Sequence, residues 1–166
     1  MSFIEVRPAV LEDVPSMARI HVQSWQETYR GILPDRMLDR QDFVADRERF
    51  WTNVLTDEWY RHNLVAVAEA DGAIVGVAMS GLPEEDDTVW PRQLYIHYVL
   101  ASHHGSGAGD GLLDAVIPPG EHAGLWIVAS NQRALAFYRK RDFEPDGKDK
   151  YELDENIRSI RLERRT

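Results

Sequence analysis

Four glycines alternate within residues 105–111, and this cluster constrains the local fold more than any other part of the sequence. The preceding run, 94–100, is rich in aromatic and β-branched residues, which predicts a strand. The apolar residues that follow, within 112–117, have helical spacing. A glycine-rich turn between a strand and a helix points backbone N–H groups at an anion, and the helix N-terminus adds partial positive charge. The cluster therefore predicts an anion site made from backbone amides.

The register of the glycines excludes two common phosphate-binding motifs. A P-loop needs Lys followed by Ser or Thr at the start of the helix, where this chain has Asp110 and Gly111. A dinucleotide-binding fingerprint needs glycines in the register G-x-G-x-x-G. Counted from Gly105 the last of these positions is Asp110, and counted from Gly107 it is Leu112. Neither motif fits, so the kind of phosphate-containing ligand must be inferred from other segments of the sequence.

The composition requires any anion site to be local. The 166 residues include 19 basic and 28 acidic side chains, which gives a net charge of −9. We therefore expect no general affinity for nucleic acid or anionic membranes. An apolar content of 43% can close a core, and the length predicts one domain over residues 1–166. The absence of cysteine excludes disulfides, thiolate metal sites and a cysteine nucleophile.

The sequence shows neither a targeting segment nor the spacing of metal ligands. Glu5 and Arg7 interrupt any apolar run at the start of the chain, so no signal peptide is expected. No stretch approaches the roughly 18 apolar residues of a membrane span, and we expect a cytoplasmic protein. No metal is expected either, because the histidines are not spaced as ligands. They are His21, His62, His97, His103, His104 and His122.

Hydrophobic periodicity predicts strands and helices in the order β-α-α-β-β-β-α-β-α-β-β, which describes a mixed α/β domain with helices covering a sheet. The dipeptide Asp71-Gly72 supplies the positive φ values of a two-residue hairpin. A second turn is expected at Asp146-Gly147. The predicted strands cover 3–7, 64–70, 73–80, 94–100, 125–129, 150–153 and 157–163, and the predicted helices begin near 11, 41, 112 and 132.

Three segments resemble the GCN5-related N-acetyltransferases. His104-Gly105-Ser106-Gly107-Ala108-Gly109 resembles the family's acetyl-CoA motif Arg/Gln-x-x-Gly-x-Gly/Ala, with histidine in the first position. The run 125–131, followed by Ala134, Phe137-Tyr138 and Phe143, resembles the later strand and helix of the family. Trp25, Tyr29 and the run 31–34 resemble the N-terminal segment on the substrate side. The resemblance covers nearly the whole chain and implies a central, mostly antiparallel sheet flanked by helices.

The resemblance also implies which residues bind acetyl-CoA. Backbone groups of the strand before the loop would contact the pantetheine arm, and the loop amides would hold the pyrophosphate. Two departures from the family pattern predict weaker binding: His104 lacks the permanent charge of arginine, and Asp110 places a carboxylate beside the phosphates. The implied cofactor-binding residues are His97, Tyr98, Val99, His104, Gly105, Ser106, Gly107, Ala108, Gly109, Asp110, Asn131 and Ala134.

Tyr138 is the first candidate for a catalytic residue. Asn131 and Tyr138 are seven residues apart, so on a helix they lie on one face within about 20° of each other. The resemblance implies that Tyr138 is the general acid for the leaving thiolate. Asn131, at the start of the helix, could hold the pantetheine amide, and a backbone N–H on the strand, that of Val99, would stabilise the oxyanion. The structural alternatives are a core tyrosine with a wet hydroxyl and a plain helix N-cap.

The general base is not evident from the sequence. Relatives carry glutamate at positions where this chain has Gln93 and Trp126, and neither can accept a proton. Possible substitutes are Glu27, Glu84, Glu85, Asp86, Asp87 and His97, or a water relay through Tyr29 or Tyr95. For His97 a structural hydrogen-bonding role is favoured over catalysis.

The acceptor is expected to be the primary amine of a small molecule or a peptide. The default interpretation of the acidic run Glu84 to Asp87 is a solvated turn, but the run could also attract a cationic amine through Glu84 and Glu85. Trp25 and Tyr29 could form walls for this amine, although core packing is favoured for Trp25. The sequence thus predicts direct acetyl transfer in a ternary complex. The alternatives are a CoA-binding sensor without turnover and a subunit whose partner supplies the base, and a homodimer is left open.

Overall fold

Seven strands form one sheet in the order β1-β2-β3-β4-β5-β7-β6. The computed structural model describes residues 3–152 and 156–165. The strands are β1 (Ile4–Pro8), β2 (Leu64–Ala70), β3 (Ala73–Gly81), β4 (Arg92–Val99), β5 (Ala123–Val128), β6 (Phe143–Glu152) and β7 (Ile157–Arg164). The helices are α1 (Val14–Tyr29), α2 (Asp35–Leu38), α3 (Phe43–Thr56), α4 (Ala108–Val116) and α5 (Gln132–Arg139).

The sheet is antiparallel except between β4 and β5. These two strands pair in parallel over a short stretch, Arg92 to Leu94 with Ala123 to Leu125, and then diverge. On its other edge β4 pairs with β3, and the register shifts there so that Tyr95 is an extra residue. Because of this bulge, Leu94 and His97 both face the side of the sheet that carries α4 and α5. The prediction of a mostly antiparallel sheet flanked by helices is confirmed.

Two hydrophobic layers hold the helices on the sheet. On one face α1 and α3 pack against β3 and β4 through Met17, Trp51 and Val77, all fully buried. On the other face α4 packs through Leu112 and Leu113. Within the described ranges, no helix combines the length and hydropathy of a membrane span.

The two Asp-Gly dipeptides have different roles. Asp71 and Gly72 have φ of 52° and 84° and connect β2 to β3 in the predicted hairpin. The predicted turn at Asp146-Gly147 is wrong, since these residues form an irregularity inside β6, which continues to pair with β7 on both sides. The strand predicted for 150–153 is the end of this longer β6, and Leu153 lies outside the described residues. The one-turn helix α2 was not predicted.

Candidate active site

A cavity of about 480 Å³ opens where β4 and β5 diverge. Its walls are the two strands, the glycine loop at the N-terminus of α4, the helix α5 and the C-terminal part of α1. The fold therefore brings together the three segments that carry the family resemblance. Of the residues predicted to have a role, those lining the cavity are Tyr29, Tyr95, His97, Tyr98, Val99, His104, Gly105, Gly107, Gly109, Asp110, Asn131, Ala134 and Tyr138.

The glycine loop presents unpaired backbone amides to this cavity. Gly105 and Gly107 have φ of 80° and 92°, values that L-residues rarely adopt. The N–H groups of Gly105, Gly107, Gly109 and Asp110 have no hydrogen-bond acceptor among the described residues, and all four residues line the cavity. The amides of Ser106 and Ala108 differ, because they donate to the His103 carbonyl and to Ser106 Oγ. The free amides of the loop therefore belong to residues 105, 107, 109 and 110, and the anion site over 105–110 stays a prediction.

The other two glycines permit close packing. A Cβ at Gly109 would lie 3.1 Å from the Phe137 ring, so glycine lets α4 approach α5. A Cβ at Gly111 would lie 2.8 Å from the side chain of Val6 on β1. Each of the four alternating glycines thus has a physical reason, either backbone conformation or close approach.

The exposed edge of β4 supplies further backbone groups. Leu100 donates its N–H to the Val75 carbonyl of β3, so by antiparallel alternation the backbone groups of Val99 and His97 point away from β3 and towards the cleft. The Val99 carbonyl accepts a hydrogen bond from His104 Nε2 at 3.0 Å. The backbone groups of Tyr98 face β3 instead, and this residue lines the cavity with its side chain.

The side chain of Tyr138 is buried at the cavity wall. Its hydroxyl lies 2.7 Å from His97 Nδ1, and His97 Nε2 lies 2.8 Å from the Gly109 carbonyl oxygen. Burial raises the pKa of Tyr138 well above its ordinary value and lowers the pKa of His97 to about 4. Both ring nitrogens of this neutral histidine are engaged, which speaks against His97 as the base that takes the amine's proton.

Asn131 caps the helix that carries Tyr138. Its Oδ1 accepts a hydrogen bond from the Ala134 N–H at 3.1 Å, which satisfies one of the free amides of the first turn of α5. The side chain also lines the cavity, so its amide nitrogen remains available there. The N-cap role is therefore established by the geometry, and a contact with pantetheine stays a prediction.

Three cations line the cavity beside the glycine loop: Arg133, Lys140 and Arg141. Arg141 forms an ion pair with Asp110 and lies over the Phe137 ring, 3.6 Å from its centroid. The carboxylate expected to repel phosphates is thus compensated by a neighbouring guanidinium. None of these three cations was predicted, although the run Arg139-Lys140-Arg141 at the end of α5 indicates positive charge there.

The α1 side of the cavity is lined by hydroxyl groups and aromatic rings. Ser24 is 2% exposed, and its Oγ has no hydrogen-bond partner among the described residues. Thr28 and Tyr29 lie on the same helix and line the same cavity, but Ser24 and Thr28 were not predicted. Trp25 does not line it: the indole donates to the Tyr98 hydroxyl at 2.7 Å and packs against Phe43, as core packing predicts.

The loop between β3 and β4 brings a carboxylate to Trp126. The indole N–H of Trp126, which lines the cavity, donates to Glu85 Oε1 at 2.6 Å. Glu85 Oε2 is buried with no partner among the described residues. Asp87 pairs with Arg161 and Lys148, which lower the pKa of its carboxyl well below the usual range, while Glu84 is exposed. Of the acidic run, Glu85 therefore comes nearest to the cavity wall, although neither Glu84 nor Glu85 lines it.

The other position where the family resemblance implies a glutamate is buried. Gln93 is 3% exposed, and its Oε1 accepts a hydrogen bond from the Trp90 indole at 3.3 Å. This residue is a structural part of the paired region of β4 and β5. In the described part of the chain, no group of three His, Asp or Glu side chains is arranged to hold a metal ion.

The family model of the acetyltransferase (GNAT) family matches residues 18–143. The chain belongs to this family. It is a GNAT N-acetyltransferase, and so an acyltransferase. A probable N-acetyltransferase of Mycobacterium tuberculosis is 29% identical over 157 residues, covering 89% of this chain and 83% of that protein. An uncharacterised N-acetyltransferase of Bacillus subtilis is 27% identical over 158 residues, covering 90% and 86%.

Solved structures of GNAT proteins share the fold. The PaiA N-acetyltransferase of Thermoplasma acidophilum, crystallised in complex with coenzyme A, superposes with a TM-score of 0.77 at 18% identity and covers 99% of both chains. The ribosomal-protein-S18-alanine N-acetyltransferase of Escherichia coli gives a TM-score of 0.66 at 16% identity, covering 98% of this chain and 93% of that one. At identities of 18% and 16%, the similarity to these two structures shows a shared fold and nothing more.

The amide geometry predicts that Gly107→Ala weakens binding of CoA by about tenfold or more. A Cβ at a φ of 92° strains the backbone by about 1–2 kcal/mol, and relaxing φ would turn the loop amides away from the cavity. Calorimetric titration with CoA measures the effect. Gly147→Ala is the matched control, because Gly147 has the same φ of 92° and open space around it, but lies in β6. Equal CoA affinity in both variants would show that the loop amides do not hold the ligand.

The Arg141–Asp110 pair predicts a charge effect on the same binding. Arg141→Gln leaves the Asp110 carboxylate uncompensated beside the phosphates, so CoA affinity should fall about tenfold. Adding Asp110→Asn should restore part of this loss. Arg139→Gln is the control, since Arg139 is exposed and pairs with Glu144 outside the cavity. If that variant binds CoA as weakly as Arg141→Gln, the effect reflects net charge rather than this pair.

Proposed function

We propose that the protein transfers the acetyl group of acetyl-CoA to a primary amine by direct attack in a ternary complex, with Tyr138 as general acid. The observation that carries the proposal is the single cavity that joins the free loop amides, Tyr138 and the hydroxyl-lined face of α1. Such a cavity can hold a phosphorylated donor at one end and an acceptor at the other. The chain has no cysteine, which excludes a cysteinyl acyl-enzyme.

The residues present fit acetyl-CoA as the donor. The amides of Gly105, Gly107, Gly109 and Asp110 offer unused donors for the pyrophosphate. Arg133, Lys140 and Arg141 would add positive charge in a chain that is acidic overall. Backbone groups on the free edge of β4 and the amide of Asn131 would bind the pantetheine arm by hydrogen bonds.

In the proposed reaction the amine nitrogen attacks the thioester carbonyl carbon, the N–C bond forms and the C–S bond breaks. The Val99 N–H faces the cleft and would donate to the carbonyl oxygen as it gains charge. The Tyr138 hydroxyl would give its proton to the leaving sulfur, and the tyrosinate would regain a proton from solvent as the products leave. The amine gives up its proton to solvent or to a group on the acceptor side.

Glu85 is the proposed source of attraction for a cationic acceptor. Trp126 holds one carboxylate oxygen, so the carboxylate lies behind the indole and would act on an ammonium group in the cavity through its charge. Trp126 stands where the family resemblance implies a glutamate, and its indole holds near that position the carboxylate of Glu85 from the loop between β3 and β4. Ser24 Oγ, which has no partner among the described residues, would bind a polar group of the acceptor on the α1 side.

The sensor alternative rests on four departures from the family pattern, and the structure weakens the reason for two of them. Asp110 is compensated by Arg141, and Trp126 holds the carboxylate of Glu85. The enzyme is therefore the better supported function. Release of free thiol from acetyl-CoA in the presence of a panel of primary amines tests it directly.

Tyr138→Phe should lower kcat by roughly tenfold to a thousandfold, with little change in acetyl-CoA affinity, because the ring keeps its packing while the proton donor is lost. Thiol release under saturating donor measures kcat, and calorimetry measures the affinity. Tyr60→Phe, in the layer under α3, serves as the control. Full activity of Tyr138→Phe at its pH optimum would refute the assignment of Tyr138 as the acid.

Glu85→Gln should lower kcat/KM for a cationic amine about tenfold, since glutamine keeps an oxygen for the Trp126 indole but lacks the charge. Glu85→Ala should lower it further, and the exposed Glu84→Gln should have little effect. The kinetics are measured with a diamine and with a peptide that has a free N-terminus. A normal rate in Glu85→Gln together with a loss in Glu85→Ala would reduce Glu85 to a support for Trp126.

A further inference from the structure

We propose that His97 is a positioning residue that couples the phosphate-binding loop to Tyr138. Its ring lies between the two: Nε2 is 2.8 Å from the Gly109 carbonyl oxygen, and Nδ1 is 2.7 Å from the Tyr138 hydroxyl. Gly109 belongs to the first turn of α4, and its own N–H faces the cavity. This inference rests on the proposed function, in which the loop holds phosphates and Tyr138 protonates sulfur.

The hydrogen-bonding partners determine the tautomer of His97. A backbone carbonyl can only accept, so Nε2 carries the proton and donates to Gly109. In a neutral imidazole Nδ1 is then an acceptor, and the Tyr138 hydroxyl must donate to it. The chain of donors therefore runs from Tyr138 to His97 to Gly109.

The direction of these hydrogen bonds affects how Tyr138 can act as a proton donor. In the free protein the Tyr138 proton points at His97, which fixes the phenol oxygen at the cavity wall. The hydroxyl must turn about its C–O bond to donate to a sulfur in the cavity. Because His97 is neutral, it holds this proton by an ordinary hydrogen bond, which a developing thiolate can outcompete with a charge-assisted one.

The absence of a side chain at Gly109 is part of the same arrangement. A Cβ there would lie 3.1 Å from the Phe137 ring, which is tighter than ordinary contact, so glycine allows the turn of α4 to approach α5 next to His97. A shift of this turn when phosphates bind its amides would move the carbonyl that holds His97. The position of Tyr138 would then depend on the occupancy of the loop.

Three substitutions separate the two hydrogen bonds. In His97→Asn the side-chain amide lies near the position of Nδ1 and can accept a hydrogen bond from Tyr138. In His97→Gln the amide lies near the position of Nε2 and can donate to the Gly109 carbonyl. His97→Phe can make neither hydrogen bond. We expect His97→Gln to bind CoA within about threefold of wild type while kcat falls at least tenfold. His97→Asn should keep most of kcat and bind CoA several-fold more weakly, and His97→Phe should lose both. Unchanged kcat and affinity in His97→Phe, or equal loss of kcat in His97→Asn and His97→Gln, would overturn the proposal.

Nitrogen-15 NMR of the histidine rings shows the tautomer of His97 in the wild-type protein and so does not depend on the folding of a His97 variant. We expect the Nε2–H tautomer, with an Nδ1 resonance that shifts when CoA is added. The same resonance should also shift in Tyr138→Phe. An Nδ1–H tautomer, or a resonance insensitive to Tyr138→Phe, contradicts the proposed chain. Neither the NMR measurement nor the measurement of CoA affinity needs an acceptor amine. Failure to acetylate any amine would therefore count against the proposed function, while these two measurements would still test the role of His97.

Discussion

The short parallel pairing of β4 with β5 is the constraint on which the site depends. Beyond Leu94 and Leu125 the two strands separate, and the backbone groups on their facing edges have no ladder partner. Such groups are costly to bury without hydrogen bonds, so the cleft favours a ligand with amide and carbonyl groups along its length. The bulge at Tyr95 determines which side chains of β4 face each side of the sheet. Because it shifts their alternation by one residue, His97 faces α5 while Tyr98 faces α1.

The contact between α4 and α5 links the two ends of the donor site. Gly109 lets the first turn of α4 approach the Phe137 ring, and Arg141 covers the other side of this contact by lying over Phe137 and pairing with Asp110. His97 extends the link to Tyr138. The groups proposed for phosphate binding and for acid catalysis therefore belong to one packed unit rather than to two separate motifs.

Features set by neighbouring residues could be predicted from the sequence, and those set by distant residues could not. The glycine loop and the hairpin at Asp71-Gly72 depend on local conformation, and both were identified. The same dipeptide at 146–147 was misread because Arg161, on β7, pairs with Asp146 and strand pairing continues past it. The Arg141–Asp110 and Trp126–Glu85 contacts join residues 31 and 41 positions apart, so no local pattern indicated them.

The charges in the cavity are unevenly distributed, and this bears on how the amine becomes reactive. Arg133, Lys140 and Arg141 lie beside the loop, whereas the face towards α1 is lined by Ser24, Thr28 and aromatic rings. An amine that leaves water for such an uncharged surface has its pKa lowered, because desolvation disfavours the ammonium form. A glutamate base at the positions of Gln93 and Trp126 is then less necessary. Glu85, behind Trp126, can attract the ammonium electrostatically without lining the cavity, and the uncharged wall favours the neutral amine that attacks.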